Sequence, residues 1–188
     1  MKRWTMTVLA AVVALWTVGG SHEARAETKA EHIARQVEAS IALFKKTDPK
    51  MEKLFKSAAG YAVFTSVGKG AFGIGAAYGE GEVFVSNMVL PGSKKIGRAS
   101  LTQVTIGLQL GGQAYDEVIF FETKEALEDF KAGKLALSAQ VSAVAAAEGA
   151  SANAKYQQGV MVFTMAKGGL MYEASVGGQK FKFFPLKK

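Results

Sequence analysis

The chain has 188 residues, no cysteine and two histidines, His22 and His32. Without cysteine there is no disulfide, no thiol nucleophile and no Cys/His zinc site, so a packed core must supply the stability. Basic residues outnumber acidic ones by 23 to 16, a formal net charge of +7 that suits an anionic partner.

Lys2 and Arg3 precede an apolar run over 6–18, and Ala24-Arg25-Ala26 follows. This order of charge, short apolar stretch and small-residue site predicts a secretory signal peptide over 1–26. The run is shorter than the ~20 residues of a spanning helix. Residues 27–188 are then expected as one exported, periplasmic domain, peripheral to a membrane, with a net charge near +5.

Residues 27–46 read as an amphipathic helix, with Ile33, Val37, Ile41 and Phe44 at helical spacing. Asp48-Pro49 stops it. A short second helix carries Met51, Leu54, Phe55 and Ala58, and Gly60 is expected to close it. The period then changes to two. A strand is predicted at 61–66, and another where Phe72, Ile74, Ala76 and Tyr78 alternate with small residues. Gly79-Glu80-Gly81 is expected as a hairpin turn into a strand over 82–89. Pro91-Gly92-Ser93 makes a further turn, leaving Lys94, Lys95 and Arg98 in a loop. Strands are predicted over 101–113 and 118–121. Thr123 N-caps a helix using Leu127 and Phe130, closed by Gly133. Residues 140–147 suit either strand or helix, 148–158 read as a loop, and closing strands fall at 160–166, 170–176 and 180–184. The fold class is α+β. N-terminal amphipathic helices precede a mainly antiparallel, strongly curved sheet or partly closed barrel with one inserted helix.

Gly68-Lys69-Gly70-Ala71-Phe72-Gly73 spells G-x-G-x-x-G, but a dinucleotide site needs a helix after the last glycine, and the pattern here continues as a strand. The small faces holding Gly73, Gly75, Gly107 and Gly111 are expected to be buried against another element, or to line a groove for a lipid chain.

Three stretches carry a family resemblance: GYAVFTSVGKGAFGIGAAYGEGEVFV at 60–85, TIGLQLGGQAYDEVIFFETKEALEDFKAG at 105–133, and the ending KGGLMYEASVGGQKFKFF. In order and spacing they resemble the SYLF domain family from about residue 33 to 184. Lys134-Leu135-Ala136-Leu137 stands where relatives often carry a tryptophan-containing aromatic stretch. The resemblance implies a non-enzymatic lipid-binding module. Eukaryotic members bind phosphoinositides, partly through an N-terminal amphipathic helix, and some bundle actin. In an exported protein actin is not the expected partner, so the resemblance points to an anionic phospholipid at a membrane surface. The alternative is a cell-envelope interaction protein, with Met161, Phe163 and Met165 in its interface.

The residues agree with a binding role. His32 reads as a solvated helix residue, carboxylates such as Glu125, Glu128 and Asp129 as a solvated face, and Asp116 as a capping or ligand residue at a turn. No metal or other cofactor is expected. Lys45, Lys46, Lys50, Lys53 and Lys56 crowd the Asp48-Pro49 corner. With Lys69 they form the candidate lipid-binding set, and Lys94, Lys95 and Arg98 form a second basic cluster. A nucleic-acid partner is not expected, because no recognition helix or interleaving of basic and aromatic residues is visible.

Overall fold

A computed structural model describes residues 27–69, 76–86, 92–104, 114–135, 137, 143–167, 176 and 178–186, without the side chains of Lys69, Ala76 and Val104. The signal-peptide segment, Gly73, Gly75, Gly107, Gly111 and the strand expected at 170–176, apart from Val176, lie outside the described residues.

Helix α1 (Lys29–Thr47) starts at Thr28, whose side chain accepts from the Glu31 N–H while Glu31 reaches back to the Thr28 N–H. This capping box satisfies two of the N–H groups a helix start leaves bare. Ile33, Val37, Ser40 and Phe44 form its buried stripe. Helix α2 (Met51–Ser57) follows the Asp48-Pro49 corner and buries Met51 and Phe55.

The chain then enters a sheet. Its strands are β1 (Gly60–Lys69), β2 (Ala76–Ser86), β3 (Ser93–Val104), β4 (Tyr115–Phe121), β5 (Val144–Ala145), β6 (Val160–Ala166) and β7 (Gln179–Pro185). The order across the sheet is β5-β6-β4-β1-β2-β3-β7. Every pairing is antiparallel except β5 with β6. Helix α3 (Lys124–Lys131) is inserted after β4, with Thr123 as N-cap and Gly133 in the left-handed region after its end. The α+β class and the inserted helix therefore match the sequence reading. The sheet is open, with β5 and β7 at its edges.

Curvature follows from contacts that a flat sheet forbids. Strands β4 and β7 are four steps apart, about 19 Å at the usual ~4.8 Å spacing. Yet Gln179 Nε2 on β7 donates to Glu117 Oε2 on β4 at 2.9 Å. The Phe64 and Phe181 rings, three steps apart, lie 5.7 Å centre to centre. The sheet therefore coils, bringing β7 over its concave face.

That face encloses Phe64, Leu101, Ile119, Phe121, Val162 and Phe181, and α3 closes it with Leu127 and Phe130. The convex face packs Tyr61, Val63, Val118, Phe120, Met161 and Phe163 against Ile33, Val37, Phe44, Met51 and Phe55. Two apolar layers on one twisted sheet explain why β1, β4 and most of β6 are buried on both faces. Met161 and Phe163 are core residues under the helices, and Met165 packs partly buried beside them, so Met161 and Phe163 are not available to the interface of the alternative reading.

Three local expectations are corrected. Gly79-Glu80-Gly81 is no turn. β2 runs straight through it, with Glu80 opposite Thr65 on one side and Ser100 on the other. These glycines serve close approach within the sheet: a Cβ at Gly79 would sit 2.6 Å from Val67 Cγ2, and one at Gly81 would strike the Val63 carbonyl. Gly60 opens β1 instead of ending α2, because the cap at Ala58 already returns its N–H to Leu54. Lys94, Lys95 and Arg98 lie in β3, not in a loop, since Ser93 already pairs with Ser86.

Candidate functional site

The five lysines of the corner do not have equal freedom. Glu52 on α2 binds Lys45 at 2.9 Å and Lys56 at 3.0 Å, and these two lysines hold its carboxyl below the usual range. Lys45 also lies over the Phe55 ring, 5.0 Å from its centre. Lys46, Lys50 and Lys53 are exposed and make no ion pair among the described residues. Lys50 and Lys53 line an open recess of about 400 Å³ with Leu54, Ser57, Ser151 and Ala152.

Asp48 fixes this corner. Its buried carboxylate accepts the Lys50 N–H at 3.1 Å and the Ser151 N–H at 2.8 Å. Burial pushes the carboxyl up, but hydrogen bonds from Ser151, Lys50 and Gly149 outweigh it and hold the carboxyl low. An ionised side chain thus ties the helix corner to the short 3-10 turn at Ala150–Ala152, which forms the far wall of the recess.

The second basic cluster stands apart, on β3. Lys95 is paired with the buried Glu82. Lys94 and Arg98 are exposed. Arg98 lies beside Glu82 and Phe184 in the register and lines a smaller recess of about 250 Å³ with Lys29, Ile33, Glu80 and Phe184. The backbone of Lys69 ends β1, and its side chain lies outside the description.

Two residues singled out for possible chemistry have structural surroundings. His32 is exposed on α1 among Glu27, Arg35 and Gln36. Asp116 is nine-tenths buried and accepts from the Ser66 N–H and from Lys167 Nζ, both at 2.9 Å. Ser66 has a φ of 54° at the irregularity between Thr65 and Gly68, where β1 slips register against β2. Asp116 therefore caps a β-bulge, the capping role the sequence allowed. No group of three or more metal-ligating side chains occurs among the described residues.

A buried polar layer was missed by sequence reasoning. Glu117, Gln179, Thr164, Gln103 and Tyr115 all face the concave core. Glu117 Oε1, Gln179 Oε1 and Thr164 Oγ1 find no hydrogen-bond partner among the described residues. Burial pushes the Glu117 carboxyl up to about 8, despite the hydrogen bond from Gln179. Only the coiling of the sheet joins Glu117 to Gln179, 62 residues later, so no local pattern could announce the pair.

The described residues thus form an α+β domain with a coiled, mostly antiparallel sheet and a helical corner that carries exposed lysines. Residues 102–183 match the family model Ysc84, described as Las17-binding protein actin regulator. Over 146 aligned residues, 76% of the chain, the sequence is 29% identical to beta cell expansion factor A of Aeromonas veronii. The alignment covers 52% of that protein, so the chain spans about half the length of this curated relative. The SYLF resemblance read from the sequence is thus shown, with its family match over β3's last residues through β7. The family is one of binding domains, associated with lipid binding and actin regulation.

Proposed function

We propose that this protein binds anionic phospholipid head groups at a membrane surface, without catalysis, in the periplasm after export. The observation that carries the reading is the recess lined by Lys50, Lys53, Ser57 and Ser151, whose two lysines make no ion pair among the described residues and, with the serine hydroxyls, offer the donors a phosphodiester needs. Lysines near an anionic surface contribute ~1 kcal/mol each. Lys46, Lys50 and Lys53 supply three such charges, while Lys45 and Lys56 share Glu52, which offsets one of their two charges. No described helix is long and apolar enough to cross a membrane.

The test is flotation of the full chain with phosphatidylglycerol-containing vesicles and with phosphatidylcholine alone. Binding to the former, weakened by Lys50→Glu/Lys53→Glu, is the expected result. Equal, negligible binding to both removes the reading. Export is tested separately, by mass spectrometry of the protein recovered from the periplasm. A mass that retains residues 1–26 overturns the expected cleavage.

A further inference from the structure

Among the described residues, four large apolar side chains are exposed: Leu43, Tyr78, Phe184 and Leu186. Three of them lie on or beside one surface, the convex face of the sheet where β2, β3 and β7 extend past α1. Strand alternation puts Tyr78 and Glu80 of β2 on this face, because Ala77 and Val83 point into the concave core. By the same rule Phe181 and Phe183 of β7 point inward, and Lys180, Lys182, Phe184 and Leu186 point outward.

The register gathers these residues. Arg98 is opposite Phe184, Ser100 opposite Lys182, and Thr102 opposite Lys180. Tyr78 borders the same patch as the β2 partner of Thr102. The charges are unbalanced. Glu80 is bound to Lys29 at 2.8 Å, and Glu82 is bound to Lys95. Arg98, Lys180 and Lys182 are exposed and form no ion pair among the described residues. Lys182 Nζ instead lies over the Phe184 ring, 5.4 Å from its centre.

Three unpaired cations beside two exposed apolar side chains fit the boundary of an anionic bilayer. Phosphates there meet the cations, and the acyl region accepts the apolar tips. A soluble acidic partner would satisfy the cations but would not by itself account for Phe184 and Leu186 standing out together. We infer that the outer face of β3 and β7 is a second membrane-contact surface, on which Arg98, Lys180 and Lys182 engage lipid phosphates while Phe184 and Leu186 enter the interface. This inference rests on the lipid-binding reading above and adds to it the depth-setting surface, which is separate from the lysine corner.

The absence of native cysteine gives a direct test. Full-chain variants Leu186→Cys, Phe184→Cys, Lys53→Cys and Asp129→Cys are each labelled with a polarity-sensitive fluorophore. They are mixed with phosphatidylglycerol/phosphatidylcholine vesicles, with and without a quencher attached to the acyl chains. Asp129 is exposed on α3, which packs on the opposite face of the sheet. The inference expects blue-shifted, quenched emission at 184 and 186 and no change at 129. It also expects Lys180→Glu/Lys182→Glu to weaken flotation by at least about tenfold. Circular dichroism of that variant must match the parent, and Lys180→Gln/Lys182→Gln gives a milder version if it does not. A protein that floats with vesicles but shows no change at 184 and 186 overturns this inference, whether or not position 53 responds, and leaves the lipid reading standing. A protein that floats with neither vesicle overturns the lipid reading and this inference together.

Discussion

At the residue scale, buried polar groups and glycines carry the sharpest expectations. Glu117 is fully buried, and its Oε1, Gln179 Oε1 and Thr164 Oγ1 have no hydrogen-bond partner among the described residues. A protonated carboxyl supplies a donor that a carboxylate cannot. Burial disfavours the charged carboxylate and pushes the folded carboxyl up to about 8, against 4.5 for the free group, although the hydrogen bond from Gln179 opposes the shift. The folded state binds the proton more tightly than the unfolded one, so stability is greatest below about pH 4.5 for this group. It falls as pH rises through 8, by at most about 1.4 kcal/mol per pH unit. Glu117→Gln should flatten this dependence and raise the melting midpoint at pH 8 relative to the parent, with little change at pH 5. A steeper loss in the variant at pH 8 contradicts the assignment. Gly81 and Gly68 form a second pair. A Cβ at Gly81 collides with the β1 backbone, whereas one at Gly68 meets Ala114 at 3.7 Å, an ordinary contact. Gly81→Ala should cost about 1–3 kcal/mol in urea unfolding through overpacking. Gly68→Ala should be neutral or slightly stabilising, since alanine loses less backbone entropy on folding.

At the scale of elements, the corner between α1 and α2 depends on Asp48. Its carboxylate accepts from the Lys50 N–H two residues on and from the Ser151 N–H 103 residues on. Asp48→Ala leaves those N–H groups without their acceptor and should destabilise the protein by about 1–3 kcal/mol. It should also weaken vesicle flotation more than the stability loss explains, because the two walls of the recess lose their tie. Full binding at a temperature where the variant remains folded would show that the recess does not need this tie. The elements themselves were largely legible. The helical spacing of Ile33, Val37 and Phe44, the Thr123 cap and the unbroken apolar run at 118–121 each report a local preference, and each element forms. Gly79-Glu80-Gly81 misled because glycine suits a turn and a close strand approach equally well. The neighbour that distinguishes them, Val63, lies 18 residues earlier on β1.

At the scale of the whole molecule, charge is distributed unevenly between paired and free cations, and binding should follow the free ones. Lys45→Ala/Lys56→Ala should weaken binding to anionic vesicles less than Lys50→Ala/Lys53→Ala, because Glu52 holds both ammonium groups of the first pair and offsets one of their two charges. Raising salt should weaken the interaction of the exposed lysines, since screening shortens the Debye length to about 10 Å at 0.1 M. Binding that is indifferent to salt, or an equal loss in the two double variants, contradicts a contact made by the free lysines.

The sequence by itself determined the α+β class, most strand positions, the inserted helix and the crowding of lysines at one corner. Each of these is set by periodicity, capping or neighbours a few residues apart. Tertiary structure alone decided which lysines are free, because the partner choice of Glu52 depends on how α2 turns back on α1. It alone placed Arg98, Lys180, Lys182 and Phe184 on one surface, through a register between strands some 80 residues apart. It alone buried Glu117 beside Gln179, because that contact exists only once the sheet coils and removes a carboxylate from water.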